Sequence, residues 1–210
     1  MKTATPQRQR GLTLIESLVA IFVAALGVLG IIGAQMRTLS DTQTTVRRSQ
    51  AVRLIEDLSE RMKVHPNALS VLADYTIGWT PAPMALPTAG RDCKDNSCNL
   101  PQLAAYDIAQ WKRAVRLALP LGDANVFVAP GDSSNVDNRR QLGVMISWRE
   151  NERSDADAAY KTSISTGTGG GTVTCPAGLT CHLQYVPVSA RCTPYRANTA
   201  SPFLYFCPGP

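Results

Sequence analysis

From Arg8 to Arg37 the chain reads RQRGLTLIESLVAIFVAALGVLGIIGAQMR, and this stretch decides the fold. Its central run, Leu18–Ala34, holds no charged residue and is almost wholly apolar or glycine. At a rise of ~1.5 Å per residue, a helix over this run alone spans ~25 Å, and its flanks bring it to the thickness of a bilayer. The stretch therefore predicts a helix that can cross a membrane.

Basic residues before the apolar run set its orientation. Lys2, Arg8 and Arg10 precede Gly11, and no acidic residue lies among them. Because Lys and Arg are retained on the cytoplasmic side, we expect a cytoplasmic leader and an exported C-terminal body. After the run the sequence continues in a helical pattern, without the small-residue site that ends an ordinary secretory signal, so the span should be kept.

One acidic residue, Glu16, lies at the start of the apolar segment. A carboxylate in hydrocarbon costs about 2.5–3.5 kcal/mol on insertion scales, so such a residue normally has a partner or a purpose. Two interpretations stay open at this point. Glu16 lies at headgroup level near the charged leader, or it neutralises a positive charge inside the membrane.

The residues around Gly11 resemble the class III signal of type IV prepilins. Arg10-Gly11-Leu12-Thr13-Leu14-Ile15-Glu16-Ser17-Leu18 combines a basic leader, a glycine, an apolar run and one glutamate at the required spacing, with Leu12 where many pilins have Phe. The resemblance implies that prepilin peptidase cuts between Gly11 and Leu12 and that the Leu12 amine is N-methylated. An amine in an apolar setting needs a counter-charge, and the Glu16 carboxylate of an adjacent subunit can supply it during assembly.

A single long helix should follow the leader, because no proline lies between Pro6 and Pro66. A helix over Leu12–His65 would be ~80 Å long. Its second half carries an apolar stripe that should pack on a globular domain, formed by Ala51, Leu54, Ile55, Leu58 and Met62. We therefore expect a leader over 1–11, a transmembrane or fibre-core segment over 12–36, an amphipathic segment over 37–65 and a periplasmic globular domain over 66–210.

The globular part is predicted to be of the α+β class: the long helix packs on a small antiparallel sheet whose loops are pinned by disulfides. Hydrophobic residues make up 44% of the 210 positions, enough for one core and too few for two large domains. The patterns predict a helix over Leu103–Leu119, strands over Ala124–Ala129, Leu142–Trp148 and Cys181–Val188, and loops over Pro66–Pro101 and Thr162–Thr174. The alternation in the second strand predicts burial mainly on one face.

Six cysteines indicate disulfides in an exported domain rather than a zinc site, because zinc prefers closer pairs and only two histidines are present. Cys93 with Cys98 is the most natural local pair. The other four allow three connectivities, among which we favour Cys175 with Cys181 and Cys192 with Cys207.

No set of residues indicates catalysis, a cofactor or a metal. His65 and His182 have no nucleophile, base and orienting group around them in the sequence. Glu150 and Glu152 could chelate calcium, but no calcium-loop spacing is present and a solvated loop is the better interpretation. Eighteen basic residues after the leader nearly balance 16 acidic ones, so nucleic acid is not expected as a partner. The chain is predicted not to be an enzyme.

A wider resemblance runs from Leu12 to about Glu150. The chain is similar to PilV-type minor pilins, also called type IV pilus modification proteins, in a series of short motifs: Arg61-Met62-Lys63-Val64-His65-Pro66, Cys93 with Cys98, Asp107 with Trp111, Leu119-Pro120, and Val144-Met145-Ile146-Ser147-Trp148. His65 stands where that family often has Asn. The four cysteines of the tail from Asn151 to Pro210 are not explained by the resemblance.

This resemblance implies a minor pilin that helps to initiate type IV pilus assembly, and with it twitching motility and adhesion. Its expected partners are prepilin peptidase, the major pilin and other minor pilins, the inner-membrane assembly platform and a tip adhesin. It would begin as a single-pass inner-membrane protein and end near the fibre tip. The alternatives are a minor pseudopilin of type II secretion, which shares the N-terminal signal, and a membrane-anchored periplasmic binding protein or enzyme.

Overall fold

The computed structural model describes residues 13–81, 85–130, 139–150, 164–166, 172–188, 193–195 and 204–206. Helix α1 spans Leu14–Val64, a 3₁₀ helix spans Ala68–Tyr75, and α2 spans Leu100–Ala118. The strands are β1 (Asp123–Val128), β2 (Gln141–Trp148), β3 (Thr180–Pro187), β4 (Thr193–Tyr195) and β5 (Leu204–Phe206). The predicted α+β class is confirmed, with one long N-terminal helix and a small antiparallel sheet.

Helix α1 runs without interruption for 51 residues and ends before Pro66, as the sequence predicts. His65 precedes that proline and leaves the helix, since the ring of a proline disfavours helical backbone in the residue before it. The chain forms two compact units, Met1–Gln43 and Thr44–Pro210. Every described residue of the first unit is exposed, and every buried hydrophobic side chain of the described chain lies in the second.

The core of the second unit begins with the predicted stripe of α1. Ala51, Ile55, Leu58 and Met62 are buried, and Leu54 packs against them partly buried. The indole Nε1 of Trp111 donates a hydrogen bond of 2.6 Å to the carbonyl oxygen of Leu54, which fastens α2 to α1. Full burial of such aliphatic side chains contributes about 1.5–3 kcal/mol each, so the stripe holds the second half of α1 in the unit.

Helix α2 starts with a capping box. The side chain of Asn99 accepts a hydrogen bond of 2.9 Å from the backbone N–H of Gln102, and the Gln102 side chain accepts one of 3.1 Å from the Asn99 N–H. Pro101 lies in the first turn, where its missing N–H costs nothing. The helix therefore begins three residues before the predicted Leu103. A disulfide between Cys93 and Cys98 closes the loop directly before the cap.

The main sheet has the order β1-β2-β3, and both pairs of strands are antiparallel. The three strands lie where the sequence places them, within one or two residues at each end. The prediction that β2 is buried mainly on one face is wrong, since all its residues after Gln141 are buried. β2 lies between two strands, and Phe127 covers Gly143, where a Cβ would come within 2.3 Å of the phenyl ring.

Two segments predicted as loops contain regular structure. The 3₁₀ helix lies within Pro66–Pro101, and its residues Ala68, Val71, Leu72 and Tyr75 are buried. Ile77 then exchanges two backbone hydrogen bonds with Val126, of 2.9 and 2.8 Å, on the outer side of β1. In the second predicted loop, Ser165 and Thr174 form an antiparallel bridge.

The second disulfide joins Cys175 to Cys181 at the start of β3. Strands β4 and β5 pair with each other, Thr193 opposite Phe206 and Tyr195 opposite Leu204. Cys192 and Cys207 come directly before β4 and directly after β5 in the sequence, but they lie outside the described residues, so the predicted bond between them stays a prediction.

Candidate assembly site

The first half of α1 presents apolar side chains that no other part of the described chain covers. Leu14 is 86% exposed, and Phe22 and Leu29 are 61% and 64% exposed. Among the described residues, α1 is the one helix long and apolar enough to cross a membrane, and none of its most apolar window is buried. A continuous apolar surface of this size does not persist in water, so lipid or other helices must cover it.

Glu16 lies in the first turn of α1 and is exposed. Its backbone N–H donates a 3.0 Å hydrogen bond to the carbonyl oxygen of Thr13, so helical turns begin there. A negative charge is favourable at a helix N-terminus, where unpaired N–H groups give a partial positive charge. The predicted cleavage residues Gly11 and Leu12 lie just outside the described residues. The structure therefore places Glu16 at the beginning of the apolar helix, close in sequence to the predicted new terminus.

Three glycines, Gly27, Gly30 and Gly33, lie within the apolar segment of α1. A Cβ at any of them would meet no atom within 4 Å, so nothing in the described chain requires glycine at these positions. Small residues at such spacing allow two helices to approach closely in a membrane or a bundle. The glycines thus leave room for a neighbouring helix without serving the fold of the chain itself.

Within the second unit, a buried ion pair joins α1 to the end of β2. Arg47 Nη1 lies 3.1 Å from Glu150 Oε2 and donates a second hydrogen bond of 3.0 Å to the carbonyl oxygen of Arg149. The side chains of Arg47 and Glu150 are only 14% and 4% exposed. Trp148 Nε1 donates to the other carboxylate oxygen, and the Thr44 hydroxyl lies 3.4 Å from Oε2. The interpretation of Glu150 as part of a solvated loop is therefore wrong.

A second buried ion pair joins α2 to β1. Lys112 Nζ lies 3.1 Å from Asp123 Oδ1 and also donates to the carbonyl oxygen of Gly78. Asp123 accepts two more hydrogen bonds from Thr80, 2.7 Å from its N–H and 3.0 Å from its hydroxyl. Burial lowers the pKa of Lys112, an effect that the Asp123 carboxylate opposes. No sequence pattern singles out either residue, because their partners are distant along the chain.

The two histidines have structural surroundings. His65 is buried, its Nε2 lies 3.1 Å from the carbonyl oxygen of Leu100, and its Nδ1 accepts a hydrogen bond from the N–H of Asn67. Burial, with a smaller contribution from Arg48, lowers the pKa of His182. In the described part of the chain, no three His, Cys, Asp or Glu side chains gather as a metal site would require.

Comparisons with known protein families match two segments in the first 109 residues of the chain. Residues 6–32 match the prokaryotic N-terminal methylation motif, and residues 33–109 match the family described as type IV pilin Tt1218. No curated protein and no solved structure gives a match. The motif implies processing by prepilin peptidase and assembly with other pilins, and the pilin family is structural rather than enzymatic. The chain thus carries a segment that matches the prokaryotic N-terminal methylation motif, followed by a segment that matches the type IV pilin Tt1218 family.

Proposed function

We propose that the protein is a minor pilin of the PilV type that helps to initiate type IV pilus assembly. The observation that carries this proposal is the apolar segment 14–36 of α1, which is exposed throughout, contains one acid, Glu16, and leads into a unit that has its own core. A helix of this kind has to be covered by something other than its own domain. The methylation motif and the pilin domain supply the class of partner, namely other pilins.

The proposed life of the chain starts in the inner membrane. Residues 1–11 form the cytoplasmic leader, 12–36 span the bilayer, and the amphipathic segment 37–65 leads into a periplasmic domain over 66–210. Prepilin peptidase cuts between Gly11 and Leu12, and the new Leu12 amine is methylated. The basic leader and the long apolar run support this orientation, since Lys and Arg are retained on the cytoplasmic side.

Assembly is then an exchange of surroundings for the apolar part of α1. Its side chains leave lipid and enter a bundle of equivalent helices, so they stay away from water and gain van der Waals packing. A charged amine at Leu12 is costly in such a bundle unless an acid pairs with it. The Glu16 carboxylate of an adjacent subunit is that acid in our proposal, and the pair sets the register between helices.

The finer assignment, a minor pilin in a priming complex near the fibre tip, rests on the PilV-type motifs. Two of these motifs include packing positions: Trp111 is buried on α2, and Val144–Trp148 are buried in the central strand β2. The partners we propose are the major pilin, other minor pilins, the assembly platform and a tip adhesin. Nucleic acid is not among them.

The cleavage can be tested by mass spectrometry of the purified chain. In cells with prepilin peptidase the chain should begin at methylated Leu12, and in cells without the enzyme it should keep Met1–Gly11. A chain that stays unprocessed in the presence of the enzyme contradicts the proposal. Deletion of the gene separates the two kinds of pilin: loss of twitching with normal protein secretion supports a pilus subunit, whereas the converse supports a pseudopilin.

The role of Glu16 can be tested with a matched pair of variants. Glu16→Leu should enter the membrane and be cleaved, but its amount in sheared pili should fall about tenfold or more, because the Leu12 amine loses its counter-charge. Glu16→Asp keeps the charge and should retain more incorporation. Equal amounts of Glu16→Leu and unaltered protein in sheared pili would show that the carboxylate does not set the register.

A further inference from the structure

A groove in the second unit lies between the last two turns of α1 and the first half of α2. Its volume is about 410 Å³. Charged and apolar side chains both line it: Asp57, Glu60, Arg61, Val64, His65, Leu103 and Asp107. Val64 is 72% exposed and therefore accessible to a partner.

Two other carboxylates that line the groove already form ion pairs with residues of α1. Asp57 Oδ2 lies 2.9 Å from Arg61 Nε, and Glu60 Oε1 lies 2.7 Å from Lys63 Nζ. Asp107 differs from them, because it comes from α2 and none of the ion pairs within 4 Å in the described chain includes it. It is a half-buried carboxylate that lines the groove together with Val64 and Leu103.

The burial of Asp107 disfavours its negative charge. Burial raises the pKa of Asp107, an effect that outweighs the opposing attraction of Arg61 and His65. A further cation placed in the groove would therefore be stabilised by Asp107 more than by a carboxylate in water.

We propose that this groove docks an arginine side chain of a neighbouring pilin-like subunit, with Asp107 as its counter-ion. The inference rests on the proposed function, which supplies the neighbouring subunit. An arginine fits both properties of the groove: its aliphatic stem can lie along Val64 and Leu103, and its guanidinium can bind a carboxylate with two hydrogen bonds. A lysine shares the charge and the stem but lacks the fork, so we expect it to bind less well.

Photo-crosslinking in cells that assemble pili tests the proposal with the full chain. A photoreactive residue at position 64 should crosslink to another subunit that carries a prepilin signal, at a yield several-fold above the same residue at position 117. Leu117 is the matched control, since it is also apolar and 72% exposed but lies at the far end of α2. The crosslinked peptide should contain an arginine beside the attachment point.

Variants of the groove then connect the crosslink to the charge. Asp107→Asn should reduce the yield about tenfold, Asp107→Glu should keep most of it, and Asp107→Arg should regain the crosslink when the partner's arginine is changed to Asp. A second variant distinguishes loss of binding from misfolding. Val64→Arg changes an exposed position and places a competing cation in the groove. With the photoreactive residue moved to position 60, this variant should lose the crosslink that the chain with Val64 gives.

Several results would overturn the proposal. They are equal yields at positions 64 and 117, a captured peptide without arginine, unchanged crosslinking in Asp107→Asn, or capture of a protein without a prepilin signal. Processing at Leu12 is scored in the same cells. If the chain is cleaved and reaches the pili while the crosslinks are absent, the groove proposal fails and the pilin assignment stands. If the chain is not cleaved, the pilin assignment itself fails.

Discussion

The buried ion pair between Arg47 and Glu150 allows a prediction with a magnitude. Replacing Arg47 by Met preserves the aliphatic part of the side chain but removes the guanidinium. The Glu150 carboxylate, which is 4% exposed, then has no positively charged partner at Arg47. Removing one partner of a buried pair costs about 3–5 kcal/mol. Since Arg47 retains 14% exposure and water can partly replace it, we expect a loss near the lower end, about 3 kcal/mol of unfolding free energy.

The loss can be measured by urea unfolding of the full chain in detergent, followed by tryptophan fluorescence. Trp111 and Trp148 are buried in the core, so they report on the second unit. For a urea dependence of about 2 kcal/mol per molar, the unfolding midpoint should fall by about 1.5 M. Trp148 also donates to Glu150, so its emission should respond directly to the variant.

A control variant and a double-mutant cycle test this prediction. Lys63 and Glu60 form a pair whose side chains are 49% and 67% exposed, and Lys63→Met should cost less than about 0.5 kcal/mol. Glu150→Gln added to Arg47→Met should cost less than the two single losses together, by about 1.5 kcal/mol or more. If Arg47→Met costs no more than Lys63→Met, the pair does not hold α1 to the end of β2.

Three further predictions concern the second unit, each measured as urea unfolding of the full chain in detergent. Gly143→Val should lower the unfolding free energy by about 1–3 kcal/mol, because a Cβ would come within 2.3 Å of the Phe127 ring. In a Phe127→Ala background the same substitution should lower it by less. An unaffected midpoint in Gly143→Val would contradict this packing. Asn99→Ala should cost about 1 kcal/mol through loss of the α2 cap, whereas Asn99→Ser should cost less. Burial and Arg48 lower the pKa of His182 in the folded chain, so the unfolded chain binds a proton at this histidine more readily. The unfolding free energy should therefore fall as pH drops through about 6.5. His182→Gln should make this loss between pH 7 and pH 5 smaller, and an unchanged loss would contradict the prediction.

Local sequence patterns were sufficient to predict α1, α2 and the three strands of the main sheet. The absence of proline after Pro6 and the stop at Pro66 give α1, and the apolar spacing from Ala51 to Met62 gives its buried face. β2 is recognisable from its alternation, and the short spacings give the Cys93–Cys98 and Cys175–Cys181 bonds that the structure contains. In each case the signal lies within about one element's length of the residues concerned.

Features that depend on distant parts of the chain were not predictable in this way. Glu150 precedes a polar stretch and looks solvated, but Arg47 lies 103 positions earlier and meets it in the fold. β2 is buried on both faces because residues of other elements cover it, such as the Phe127 ring over Gly143, and its own alternation does not encode them. Asp107 was noted in the sequence only together with Trp111, since its groove forms where α1 and α2 come together.

The Cys93–Cys98 bond has a consequence for when the second helix can start. The ring that it closes ends one residue before Asn99, whose side chain fixes the first turn of α2. While the two thiols are reduced, the segment before Asn99 samples many more conformations, and the first helical turn has to be nucleated next to a flexible segment. Oxidation removes that freedom at the position where nucleation occurs. Formation of the Cys93–Cys98 bond therefore lowers the entropy cost of ordering the first turn of α2.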